Sequence, residues 1–123
     1  MSEIDRVLHD ARRQLPHRPT ADELSALRAR GALIVDIRPS ESRDREGALD
    51  GAIVIDRNVL EWRLDPSSPH RIAEADDPDR EIVLVCNEGY ASSLAALSLQ
   101  RLGLRNATDL DGGYRALRAL DTT

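Results

Sequence analysis

One cysteine stands in this chain of 123 residues, and its neighbours set what it can do. Cys86 closes an apolar run, Ile82-Val83-Leu84-Val85, that reads as a buried strand. Asn87-Glu88-Gly89-Tyr90-Ala91 follows as a glycine-bearing loop, and residues 92–102 read as a helix. A thiol between a strand's C-terminal end and a helix N-terminus sits among free backbone N–H groups and the positive end of a dipole. Such surroundings favour the thiolate, the nucleophilic form of cysteine. The alternative is a small core residue, since free cysteine is among the most buried types. Its place after the strand, not within it, favours the reactive reading.

Three more apolar runs end in charge or glycine. Residues 32–37 give way to Asp36-Ile37-Arg38-Pro39, where Asp36 and Arg38 lie two apart and share one side of the strand. They read as a structural ion pair tying down the following loop. Residues 52–55 close in Asp56-Arg57-Asn58, and residues 107–110 in Asp111-Gly112-Gly113. In parallel α/β sheets, ligands bind outside the carboxyl ends of the strands, so all four exits point to one edge.

The elements that must hold these exits alternate between strand and helix. Ile4, Val7, Leu8, Ala11 and Leu15 predict an amphipathic helix over 3–15, with Ser2 as N-cap and Pro16 as its stop. This segment reads as an accessory helix and linker, residues 1–19, before a domain spanning 20–123. Its Arg12, Arg13 and Arg18 read as a solvated face. Thr20-Ala21-Asp22-Glu23 is a capping box opening a helix that ends at Gly31. A short polar helix is expected over 40–46, and another after Asn58, which would cap it. Residues 64–79, rich in proline, serine and aspartate, read as a variable surface loop with one turn near Ile72, a lid being the other reading. A closing helix follows the Asp111-Gly112-Gly113 turn. Alternation throughout predicts a mostly parallel central sheet with helices on both faces.

Bulk properties exclude several classes. Net charge is −5, which argues against nucleic acid or an anionic membrane as partner, and all 17 basic residues are arginine. No window reaches transmembrane length, the N-terminus is acidic and polar, and a lone cysteine cannot form an internal disulfide. The cytoplasm is the expected compartment. His9, His17 and His70 are scattered, so no metal site or cofactor is expected.

The segments Val35-Asp36-Ile37-Arg38-Pro39, Gly47-Ala48-Leu49-Asp50-Gly51-Ala52, Ile82 to Cys86 with its loop, and Leu110-Asp111-Gly112-Gly113-Tyr114 resemble, in order, the landmarks of the rhodanese family. The stretch 57–66 further resembles a subgroup of bacterial single-domain rhodaneses. The resemblance implies a rhodanese-like α/β fold and sulfane-sulfur transfer by double displacement. Cys86 would attack a thiosulfate- or persulfide-type donor, carry the sulfur as a persulfide, and pass it to a thiol or an acceptor protein. The loop Asn87, Glu88, Gly89, Tyr90, Ala91 and Ser92 would bind the substrate, its N–H groups pointing at the sulfur. Asp36, Arg38 and Gly112 would be structural neighbours of the site. The expected form is a monomer or homodimer.

Two departures bear on chemistry. Ala91 stands where the family's loop commonly carries a basic residue, and Glu88 adds a negative charge beside Cys86. A carboxylate ~5–6 Å away at an effective dielectric near 20 would oppose the thiolate by about 3 kcal/mol if it pointed inward. Arg57 or Arg63 would restore positive charge from the next loop, unless they pair with Glu61 or Asp65. Ala48 and Asp50, where the family often has histidine and proline, are structural departures. Without an arginine closing the loop, a phosphatase is disfavoured. Two alternatives to an active sulfurtransferase stand: a catalytically weak rhodanese-like binding or regulatory module, and a redox-sensing Cys86 that would need a second thiol from elsewhere.

Overall fold

Ser2 caps the first helix, its hydroxyl accepting from the Asp5 N–H at 3.2 Å, and α1 runs Glu3–Arg13. A computed structural model describes residues 1–121 of the chain. After a linker, the Glu23 carboxylate accepts from the Thr20 N–H at 3.1 Å, which is the reach-back half of the expected capping box. The turn it starts is a 3₁₀ turn, Ala21–Glu23, continuing as α2, Leu24–Ala29. Then come β1 (Leu33–Asp36), α3 (Ser40–Glu46), β2 (Ile53–Val54), a 3₁₀ turn (Arg57–Val59) and α4 (Leu60–Leu64). The chain closes with β3 (Ile82–Val85), α5 (Ala91–Arg101), β4 (Ala107–Asp109) and α6 (Gly113–Asp121).

The strands form a parallel sheet in the order β2-β1-β3-β4. Central strands β1 and β3 pair Leu33 with Ile82 through Asp36 with Val85. Because side chains alternate across a strand, one sequence feeds two cores. Leu33, Val35, Ile82 and Leu84 pack with Leu60 and Leu64 of α4 and Ala95, Ala96 and Leu99 of α5. Ile34, Val83 and Val85 pack with Leu24 of α2 and Leu117 of α6 on the other face. Each fully buried aliphatic side chain stabilises by about 1.5–3 kcal/mol, so continuous apolar strands covered on both faces are what hold the sheet.

Local details differ from expectation in four places. Helix α1 buries Ala11 against α5 but leaves Ile4 and Val7 exposed, so only the end of its apolar stripe is used. The cap of the turn at 57 is Asp56, whose carboxylate accepts from the Asn58 N–H at 2.7 Å; Asn58 itself is not the cap. Helix α5 begins at Ala91, one residue earlier than the pattern indicated. Residues 65–80 hold no helix, but the excursion is anchored: Ala75 is buried and Ile72 packs on the α4–α5 core.

Candidate active site

Cys86 is buried immediately beyond β3, 8 % exposed, with its sulfur facing the start of α5. Two groups touch it. The Gly89 N–H donates to Sγ at 3.2 Å, and the thiol lies 3.1 Å from the Ser92 hydroxyl. Gly89 adopts φ +86°, and a Cβ there would come within 2.9 Å of the Gly112 nitrogen. Only glycine satisfies both the left-handed backbone and that close approach.

The loop is shaped from outside by what holds its carbonyls. The Cys86 carbonyl accepts from the Tyr114 N–H at 2.8 Å, and the Asn87 carbonyl from the Arg115 N–H at 3.0 Å. Gly113, at φ +62°, makes this approach possible, since a Cβ there would lie 2.5 Å from the Cys86 carbonyl oxygen. The Gly89 carbonyl accepts from Arg12 Nη2 at 2.7 Å and Arg18 Nη2 at 3.3 Å, and the Ser93 hydroxyl oxygen lies 3.3 Å from it. In a trans peptide the carbonyl and the next N–H point opposite ways. The N–H groups of Asn87 and Glu88 therefore turn away from α6, and that of Tyr90 away from α1. This is how a chain builds an anion-holding concavity from its own backbone.

Beneath the sulfur lies a polar network. Ser92 donates to Asp109 Oδ2 at 2.7 Å, and Ser93 lies 2.8 Å from the same oxygen. Asp109 is fully buried and ion-paired with Arg18, Nε to Oδ1 at 2.7 Å. Burial by itself would lower the Arg18 pKa, but the hydrogen bond and charge of Asp109, with smaller contributions from Asp111 and Cys86, raise it. Arg12 completes the network, Nε donating to the Ser93 hydroxyl at 3.1 Å. Arg12 and Arg18 are thus not a solvated face, as their sequence context implied; they back the Cys86 loop. Arg13 alone of the three stays in solvent, 3.5 Å from Asp10.

The other candidate residues separate into those at the site and those beside it. A cleft of about 410 Å³ opens over Cys86, lined among others by Asn87, Glu88, Tyr90, Ala91, Arg38 and Arg57. Glu88 turns outward and pairs with Arg115 at 2.7 Å, half exposed, so its charge is neutralised and screened. Arg57 lines the cleft while paired to Glu61 at 2.9 Å. Burial would raise the Glu61 pKa, yet hydrogen bonds led by the Ser98 hydroxyl, together with Arg57, hold it low. Arg63 is outside the cleft; it donates to the His70 carbonyl at 2.8 Å and pins the 65–80 excursion. That excursion does not line the cleft either.

Asp36 and Arg38 form a buried, forked ion pair, Nη2 to Oδ2 at 2.8 Å. Arg38 also donates to the Gly47 carbonyl at 2.9 Å, with its guanidinium 3.8 Å from the Tyr114 ring centroid. The loop after β1 is tied down as the two-residue spacing indicated. Gly112, at φ +79°, faces Ala116, where a Cβ would come within 2.7 Å. A larger cleft of about 510 Å³ near Leu24, Arg28 and Leu117 is not lined by Cys86 or its loop. Among the described residues, no group of three or more His, Cys, Asp or Glu is placed to hold a metal.

Comparison with known proteins fits this arrangement. The family model of the rhodanese-like domain matches residues 20–120. The chain belongs to the rhodanese-like family. A thiosulfate sulfurtransferase GlpE of Shewanella oneidensis is 36% identical over 88 residues, covering 72% of this chain and 77% of that protein. The GlpE of Pseudomonas savastanoi pv. phaseolicola is 29% identical over 98 residues, covering 80% and 83%. Among solved structures, a Rhodopseudomonas palustris protein of unknown function, described as a possible tyrosine phosphatase, superposes with TM-score 0.85 at 30% identity, covering 98% of this chain and 92% of that one. A human single-domain sulfurtransferase superposes with TM-score 0.69 at 27% identity, covering 86% and 96%. The rhodanese-like match starts at residue 20, so Arg12 and Arg18, which grip the active loop, precede it.

The residues that sequence reasoning missed are Arg12, Arg18, Ser93, Asp109, Gly113 and Arg115. One of them carried a signal: a carboxylate ending a short strand between Ala107 and Leu110 needs a partner if that strand is buried. The identity of that partner, 91 positions away, had none.

Proposed function

We propose that this rhodanese-like protein is a sulfurtransferase that carries sulfane sulfur on Cys86. The Cys86 thiolate attacks the outer sulfur of thiosulfate, forming an S–S bond and releasing sulfite; with an organic persulfide the leaving group is its thiolate. The resulting Cys86 persulfide anion lies in the loop's concavity. An acceptor thiolate or cyanide then attacks the outer sulfur, taking it as a persulfide or thiocyanate and returning the Cys86 thiolate. No net oxidation occurs, and no cofactor enters.

The observation that carries this reading is the outward-held carbonyls of the loop, with the Gly89 N–H 3.2 Å from Sγ. Backbone N–H groups fixed around one sulfur stabilise an anion there without reorganising during the reaction. Pairing with Arg115 lessens the repulsion that the Glu88 carboxylate would exert on an anionic donor such as thiosulfate. The cleft also leaves room for a bulkier organic persulfide. The likeness to a possible tyrosine phosphatase raises phosphate transfer as a second reading. Against it, Arg12 and Arg18 spend their guanidinium groups on the Gly89 carbonyl and Asp109, not on the cleft over Cys86.

Incubation with thiosulfate and, separately, glutathione persulfide tests the proposal by intact mass. A one-sulfur adduct is expected on the wild type and none on Cys86→Ser. Absence of the adduct with both donors leaves a binding or regulatory module as the better description.

A further inference from the structure

The geometry points to Arg12 and Arg18 of the N-terminal segment as positioning residues for Cys86, supplying from outside the family match the cation that the loop itself lacks at Ala91. Both guanidinium groups hold the Gly89 carbonyl, at 2.7 and 3.3 Å. That peptide's orientation decides where the Tyr90 N–H points, and it follows directly on the Gly89 N–H that touches the sulfur. Neither arginine is free to wander. Arg18 is locked to the fully buried Asp109, and Arg12 bonds Ser93 and lies 5.9 Å from the Tyr90 ring centroid. The chain on either side of Arg18 is held as well: the Pro16 carbonyl accepts from the Thr108 hydroxyl at 3.3 Å and the Pro19 carbonyl from the Asp111 N–H at 2.9 Å. The two arginines therefore form the third of three carbonyl holds on the loop, beside those of Tyr114 and Arg115.

The charge balance around the thiol gives this hold a second consequence. Asp109 approaches through Ser92, and Glu88 borders the cleft; both oppose a thiolate. Arg18 answers the first while also reaching Asp111 at 3.4 Å, and Arg115 answers the second while also reaching Glu46 at 3.3 Å. Arg38 is matched by Asp36, and Arg57 by Glu61. Arg18 and Arg115 are each shared between two carboxylates, and Arg12, which bonds Ser93 and the Gly89 carbonyl and no carboxylate of this network, adds a further positive charge behind the loop. Removing Arg12 or Arg18 leaves the loop less well oriented and more negative, and both changes disfavour the thiolate.

The inference rests on the proposed function only in taking Cys86 as the reacting group, and its test needs no sulfur donor. Alkylation of Cys86 by iodoacetamide is followed as a function of pH in the full-length protein. Arg12→Gln and Arg18→Gln are each expected to slow it about three- to tenfold at neutral pH and raise its midpoint by about half a unit to one unit, less than a direct ion pair gives. Arg12→Lys, which keeps the charge but not the fork that reaches both Ser93 and the Gly89 carbonyl, recovers only part of the loss. Arg13→Gln, on the exposed side of the same turn, leaves rate and midpoint unchanged. Should Arg18→Gln fail to fold because Asp109 is orphaned, Arg12→Gln decides, since it leaves that pair intact. Wild-type rate and midpoint in folded Arg12→Gln overturn the inference, as does equal slowing in Arg13→Gln. Persulfide formation alongside unchanged alkylation in the variants would leave the sulfurtransferase standing and remove only this role.

Discussion

Two buried aspartates lie at strand ends on either side of β3, and each is answered by an arginine in a different way. Asp36 ends β1 and takes its partner from two residues on; the pair is closed to water and fixes the loop that follows. Asp109 ends β4 and takes Arg18 from 91 residues away, leaving that arginine 16% exposed. The local pair stabilises its own turn. The long-range pair fastens the N-terminal segment to the sheet beside Cys86 and, through Ser92, reaches the sulfur. A buried charge placed by its neighbours is thus a structural part, while one satisfied from afar couples a distant segment to the site.

Breaking the pairs orders the expected effects. Arg38→Ala leaves Asp36 buried and unpaired and costs about 3–5 kcal/mol, read as a fall in the denaturant midpoint. Arg18→Ala costs less, about 1–3 kcal/mol, because water reaches its site, yet it slows Cys86 alkylation. Double-mutant cycles sharpen the point: coupling should be larger for Asp36 with Arg38 than for Asp109 with Arg18, and the reverse order would contradict the comparison.

A third carboxylate lies at the surface, partly exposed. Glu23 is held down to about 2 from its ordinary 4.5 by the Thr20 N–H first and the His17 ring next. Its lowered pKa means the stabilisation is complete above pH 4.5 and is lost as pH falls toward 2. Amide exchange at Thr20 to Leu24 should quicken over that window, and Glu23→Gln should flatten the dependence. The smallest effect belongs to Arg63→Ala, which loses an exposed bond to the His70 carbonyl. It is expected to change stability by no more than about 0.5 kcal/mol and Cys86 alkylation not at all.

Much of this protein is written locally. Apolar runs at 33–36 and 82–85 are too continuous for a half-exposed strand, so they demand a parallel sheet covered twice. The Asp36–Arg38 spacing carries its ion pair, and the apolar run before Cys86 carries the strand that ends at it. These readings survive because the physics involved spans only a few residues. Arg12, Arg18 and Asp109 were opaque for the opposite reason. Arginine on a helix end next to other arginines is ordinarily solvated, and only the packing of α1 on α5 brings it to the Gly89 carbonyl. Glu88 shows the same limit, since nothing near it in the chain says whether it faces the sulfur or Arg115. The sequence by itself determined the sheet, the thiol and the local ion pair, each through short-range pattern and burial. Tertiary structure alone decided which charges surround the sulfur, because a side chain's electrostatic partner depends on which distant surfaces the fold presses together.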